Sequence, residues 1–190
     1  AYGDIVPDPA SLAHLSRSLP DIADPLTRGS AWVTLWDGLL NGRVSPSAFM
    51  DLATTALPKE TDEQMTSRVL GYAGNAWWRF LPVAERTRRA AAYEQLLREG
   101  LARAGTASQK AAWFGALRNV SLTAPTVEWL RKVWARTETV PGLPQRKGSR
   151  ERQRDHVHVV RERRAAYVLD RRLHAERNAL RALGHERFMV

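Results

Sequence analysis

Metal chemistry is the first possibility to weigh, and the histidines frame it. His156-Val157-His158 places two imidazoles two positions apart, which on an extended chain could offer a metal two nitrogens. No carboxylate or third imidazole stands at a spacing that completes a tetrahedral set, so these read as solvated surface histidines and no metal is expected in this chain. With no cysteine among 190 residues, thiolate centres and disulfide frameworks are excluded, and the absence fits a reducing compartment such as the cytoplasm. Arg28 carries a different chemistry. It follows Asp24 by four positions, and Asp37 and Glu60 are further acids it could meet. An arginine one turn into a helix with acids nearby reads as an ion pair that fixes the first helix hairpin.

The seven tryptophans are the other candidates, because aromatic-lined surfaces can grip peptides or stack bases. Their spacing favours packing instead. Trp32 and Trp36 lie one turn apart and alternate with Leu35 and Leu39, and Trp77 repeats from Ala73 with Phe80 three positions on. Trp32, Trp36, Trp77, Trp113 and Trp134 are therefore expected in the core. Trp78 points to another face, and with Arg79 beside it is the candidate for an outward-facing contact.

The elements that would position these groups are all helical. Asp8-Pro9 opens a first helix with Leu12, Leu15 and Leu19 on one side. Asp24-Pro25 opens a second carrying Leu26, Val33, Trp36 and Leu40, stopped at Gly42. Ser45-Pro46 opens a third that buries Phe49, Leu52, Ala53 and Ala56 before Pro58. Thr61 starts a fourth, with Asp62 and Glu63 complementing the dipole and Met65, Val69, Ala73, Ala76, Trp77 and Phe80 along one stripe. A fifth runs from about Pro82 to Arg103, a sixth follows Thr106, and a seventh follows Thr123 with Val127, Leu130 and Trp134 inward. Short connections predict antiparallel hairpins repeating at roughly forty residues, as in HEAT- or armadillo-like α-solenoids. The expected pairs are helices two with three, four with five and six with seven.

Charge divides the chain. The net charge is +9, yet residues 1–140 hold 16 Lys and Arg against 14 Asp and Glu, while residues 141–190 hold 13 against 6. Every tryptophan precedes Pro141-Gly142-Leu143-Pro144, which marks the expected boundary between a helical body, 1–143, and a basic tail, 144–190. Within the tail Ala166, Leu169, Leu173, Leu180 and Leu183 recur at helical steps, predicting a basic helix. The abrupt composition change also fits a reading-frame shift in a GC-rich gene. Thirteen basic residues in the tail could neutralise phosphates. Six interleaved acids and the lack of any recognised module argue against a nucleic-acid partner. No apolar run is long enough to span a membrane, and the first residues lack the pattern of a signal peptide. A start without Met is what an excised segment would show.

An ordered set of motifs gives the chain a family resemblance. Tyr2-Gly3 with Asp8, Asp24 to Arg28, Asn41-Gly42, Leu57-Pro58-Lys59-Glu60-Thr61 and Trp77-Trp78-Arg79-Phe80 succeed one another over some 140 residues. Lys110-Ala111-Ala112-Trp113-Phe114 and Trp129-Leu130 to Val140-Pro141-Gly142-Leu143 continue the pattern. The sequence resembles the C-terminal helical domain of the zinc aminopeptidases, the family of aminopeptidase N, puromycin-sensitive aminopeptidase and the endoplasmic reticulum aminopeptidases, in its bacterial form. The tail departs from that pattern, since bacterial relatives continue with further Leu/Ala-rich helix pairs.

The resemblance implies a zinc exopeptidase whose metal sits on a His-Glu-x-x-His helix. Here the His-Glu pair is His185-Glu186, followed by Arg187-Phe188-Met189, so the second imidazole has no counterpart. The Gly-x-Met-Glu-Asn motif for the substrate amine is absent as well. No catalytic residue is therefore expected in this chain, and zinc is expected in a catalytic domain elsewhere in the same polypeptide. The resemblance implies a C-terminal solenoid that closes over a peptide chamber, with that catalytic domain and the peptide substrate as partners. In that setting Arg28, Glu60, Trp78 and Arg79 are either chamber-facing or structural, and for Arg28 the structural role is preferred. A stand-alone scaffold for a protein partner is the alternative.

Overall fold

The computed structural model describes residues 7–143. Contacts divide the chain into two compact units, Ala1–Leu143 and Pro144–Val190, and the described residues belong to the first. The expected basic helix, His156, His158, His185 and Glu186 lie outside them. Among the described residues there are seven α-helices and no strand: α1 Pro9–Ser18, α2 Pro25–Leu40, α3 Pro46–Ala56, α4 Glu63–Arg79, α5 Val83–Arg103, α6 Ala107–Val120 and α7 Ala124–Ala135. Single 3-10 turns, Leu19–Asp21 and Leu57–Lys59, follow α1 and α3.

Local chemistry explains the helix starts. Asp8, Asp24 and Ser45 each accept a backbone N–H from the first turn of α1, α2 or α3, with proline in that turn. Thr106 opens α6 with a reciprocal capping box to Gln109. At α4 the cap is Asp62 rather than the expected Thr61: its carboxylate accepts the Met65 N–H at 2.7 Å. A carboxylate is the stronger acceptor facing a positive helix end.

The buried face of α2 differs from the expected stripe. Gly29, Ala31, Trp32, Leu35, Gly38 and Leu39 are buried, while Leu26, Val33 and Leu40 are exposed. Both sets have helical spacing. The tryptophan settles the choice, because it has the most apolar surface to remove from water.

Three pairs of helices two apart in the chain, α2 with α4, α3 with α5 and α4 with α6, run side by side in the same direction. Between α2 and α4, Gly29 meets Met65 and Trp36 stacks on Tyr72 at 4.8 Å, with the same chain separation in both cases. Between α3 and α5, Ser47 reaches Glu85 and Asp51 reaches Arg89, each across 38 positions. Between α4 and α6, Glu63 receives Ser108 and the Trp78 N–H donates to the Asn119 carbonyl at 2.9 Å. The expected pairing of α4 with α5 and of α6 with α7 is not the tightest packing. α6 lies closest to both α4 and α5, and α3 to α4. Gly100 explains the α5–α6 approach, since a Cβ there would collide with the Trp113 ring.

One contiguous core results, with Trp32, Phe49, Trp77, Tyr93, Leu97 and Leu117 deeply buried. Trp113 belongs to it, and Trp36 packs on it half-buried, edge-on to Phe49 and Phe80. Trp134, expected in the core, is only half-buried and lies outside that cluster.

Candidate functional site

Two segments distant in the sequence converge on Arg28. Asp24 caps α2 and so fixes the first turn from which Arg28 projects. From there the guanidinium reaches the connection between α3 and α4. Its Nε donates to Glu60 Oε2 and its Nη2 to Glu60 Oε1, both at 2.7 Å. Its Nη1 donates to the Ile22 carbonyl at 2.6 Å and the Ala23 carbonyl at 3.2 Å. Glu60 in turn accepts the Asp62 N–H at 2.9 Å, at the cap of α4. The side chains are 11% and 4% exposed, so this is a buried, bidentate pair. Hydrogen bonding to Glu60 raises the Arg28 pKa further above its already high ordinary value, so the charge is permanent.

A shallow cleft of about 190 Å³ opens beside the pair, lined in part by Pro20, Ile22, Ala56 and Thr61. Lys59 and Asp21 bridge its rim at 3.0 Å. The Arg28 donors are committed to two carbonyls and a carboxylate, which leaves the guanidinium little capacity to bind a peptide carboxylate. The arrangement joins the α1–α2 and α3–α4 connections. Asp37, also considered as a partner, instead takes Arg43 at 2.8 Å.

Trp78 is half-buried, with its N–H on Asn119 and the Arg86 guanidinium 5.4 Å from its ring. It ties α4 to α6. Arg79, one position on, is exposed at the end of α4.

Two buried charges escaped sequence reasoning. Glu94, 2% exposed on α5, accepts the backbone N–H groups of Leu122 at 2.6 Å and Thr123 at 2.9 Å, together with the Thr123 hydroxyl. It thus caps α7 from another helix, and Thr123 makes no side-chain cap of its own. Arg86 does the converse at the C-terminal end of α4, donating to the Trp77 carbonyl in its last turn at 3.4 Å and to the Leu81 carbonyl just beyond it at 2.7 Å. A signal for Glu94 existed: it interrupts the apolar row Ala90, Leu97 and Leu101 at a core-facing position. Burial also pushes the Tyr93 hydroxyl pKa upward.

Among the described residues no three His, Cys, Asp or Glu come together to hold a metal. Among the same residues no helix is long and apolar enough to cross a membrane. The fold and the ion pair define a helical domain whose buried charges join connections and cap helix ends. No protein-family model matches the chain, and a comparison with curated proteins finds no match.

Proposed function

We propose that this chain is a non-catalytic helical domain of a zinc-dependent aminopeptidase, an α-solenoid that caps the peptide chamber and supports its closure. One observation carries the reading. Two motifs of the ordered set that carries the resemblance, Asp24 to Arg28 and Leu57 to Thr61, meet in the bidentate Arg28–Glu60 pair. Same-direction packing of alternate helices supports the solenoid, because stacked helix pairs place each helix beside its counterpart in the next pair.

In this role the domain contributes position rather than chemistry. The buried pair and the Glu94 cap make the helix stack stiff enough to move as a body against the catalytic domain. Such closure would exclude water and complete a site built elsewhere. Zinc would belong to that other domain, where it would activate the attacking water.

The test is to express the full reading frame with and without residues 1–143 and to measure release of a fluorophore from an aminoacyl amide. The reading predicts activity in the full protein, loss or severe loss without the domain, and none from the domain alone. A full-length product that does not cleave the amide in the presence of zinc would overturn it.

A further inference from the structure

Of the described asparagines, Asn75 and Asn119 lie within α4 and α6 and precede Ala76 and Val120, whereas Asn41 ends α2 and precedes Gly42. An Asn-Gly pair is chemically reactive, because a following residue without a Cβ lets its backbone nitrogen approach the carboxamide. Both Asn41 and Gly42 are exposed. We propose that Asn41 is a site of spontaneous deamidation, at which the turn after α2 converts itself to an aspartyl or isoaspartyl form without the domain unfolding.

The Gly42 nitrogen gives up its proton to water and bonds to Asn41 Cγ, and the Cγ–Nδ2 bond breaks to release ammonia. Water then opens the resulting succinimide at either carbonyl, so one water is consumed, one ammonia leaves and no electrons are exchanged. The resting turn does not present this geometry. Ring closure needs the Gly42 nitrogen eclipsed with the Asn41 Cβ, and the Asn41 ψ is 10°. The reacting groups are also engaged: Asn41 Nδ2 donates to the Asp37 carbonyl at 3.0 Å and to Asp37 Oδ1 at 3.1 Å, and the Gly42 N–H donates to the Leu39 carbonyl at 3.1 Å. One small motion supplies the geometry. Turning the peptide unit between Asn41 and Gly42, with opposite changes in ψ of Asn41 and φ of Gly42, leaves the Arg43 and Val44 N–H groups on the Gly38 carbonyl. Gly42 permits the turn, since its φ is +72° and no atom lies within 4 Å of where a Cβ would stand.

The magnitudes favour local opening. Turning the peptide gives up the Gly42 N–H bond and the side-chain bonds to Asp37, at exposed positions where water takes their place, which lowers the reactive population by about ten- to a hundredfold. Waiting for global unfolding would lower it by at least ~1,000-fold. The product has a structural consequence. Its carboxylate stands at the negative end of the α2 dipole and beside Asp37, and the Nδ2 donor to the Asp37 carbonyl is gone. Val44 and Leu12 close on Gly38 one turn away, so the modification loosens the seat of α1 on α2. This inference is independent of the proposed function.

The test holds the full chain at neutral pH, folded and in urea, and follows the peptide that contains Asn41. Mass spectrometry reads the exchange of amide for hydroxyl, and chromatography separates the isoaspartyl form. Asn41 in the folded chain should react about ten- to a hundredfold more slowly than in urea, with the Gly42 N–H protected from hydrogen exchange by a similar factor. Gly42→Ala, compared in urea where its effect on folding is irrelevant, should slow the reaction at least about tenfold. Asn41→Asp, which carries the aspartyl product from the start, should melt about 3 °C lower. Slowing as large as the measured unfolding constant would mean that only the unfolded chain reacts, and equal rates folded and in urea would mean that the turn holds nothing. Either result overturns the proposal, as does an Asn41 that reacts no faster than Asn75 and Asn119 in the folded chain.

Discussion

Replacing Arg28 with alanine removes four hydrogen bonds and one charge from a site where water cannot take their place. Glu60, with its side chain 4% exposed, would keep only the Asp62 N–H as a partner. Leaving one member of a buried pair uncompensated costs about 3–5 kcal/mol. The loss at the Ile22 and Ala23 carbonyls is smaller, about 1 kcal/mol, because the connection can rotate them toward solvent. For a domain of this size, each kcal/mol shifts the melting temperature by roughly 3 °C, so Arg28→Ala should lower it by about 10 °C or more. Arg28→Lys keeps the charge but cannot reproduce the fork and should recover only part of the loss. Urea titration followed by circular dichroism gives the free energies directly. A cost under about 1 kcal/mol, the range of a surface pair, would refute the argument. An unchanged melt accompanied by altered peptide affinity would assign Arg28 to the chamber.

Three further outcomes follow from the packing. Glu94→Ala leaves the Leu122 and Thr123 N–H groups without an acceptor and should cost about 2–4 kcal/mol, with hydrogen exchange accelerated first in α7. Protection lost uniformly over the domain would contradict the assignment of Glu94 to that cap. Gly100→Ala gains about 1 kcal/mol of helix propensity but collides with Trp113, so the net change should be a loss of roughly 1–2 kcal/mol; a stabilised variant would mean that α5 and α6 are not in contact there. Acid should destabilise the domain through its capping and paired carboxylates. Hydrogen bonds from Arg88 and Arg89 hold Glu85 down to about 2 from its ordinary 4.5. Asp8 and Asp24 are lowered by the hydroxyls and backbone N–H groups they cap, those of Ser11 and Thr27 foremost. Each pKa is lowered on folding, so the stabilisation is complete above the unfolded value and disappears as pH falls through the folded one. The melting temperature should fall between about pH 4.5 and 2, and a flat profile there would contradict the capping geometry.

The helix starts were legible because their causes are local: an Asp or Ser followed by Pro specifies a cap within four residues, as at Asp8, Asp24 and Ser45. Thr61 failed for the same reason, since its neighbour Asp62 offers a better acceptor one step later. Facing was harder. α2 carries apolar residues on both sides, so periodicity alone did not distinguish the Trp32 face from the Leu26 face. Pairing of helices depends on which surfaces admit close approach, and the small Gly100 opposite Trp113 is visible only once α5 and α6 are placed together. Buried charges were least legible. Arg28 and Glu60 were singled out as candidates, but the commitment of Arg28 to the Ile22 and Ala23 carbonyls depends on the turn that ends α1. Glu94 stands in the apolar row of α5, but its role depends on its closeness to Leu122 and Thr123, which lie 28 and 29 positions on.

The reading frame immediately upstream of this segment is the most direct test of the proposed role. A peptidase domain should be encoded there in frame, with a His-Glu-x-x-His helix, a more distant glutamate and a Gly-x-Met-Glu-Asn segment. A stop codon, or an upstream domain with none of these, would contradict it.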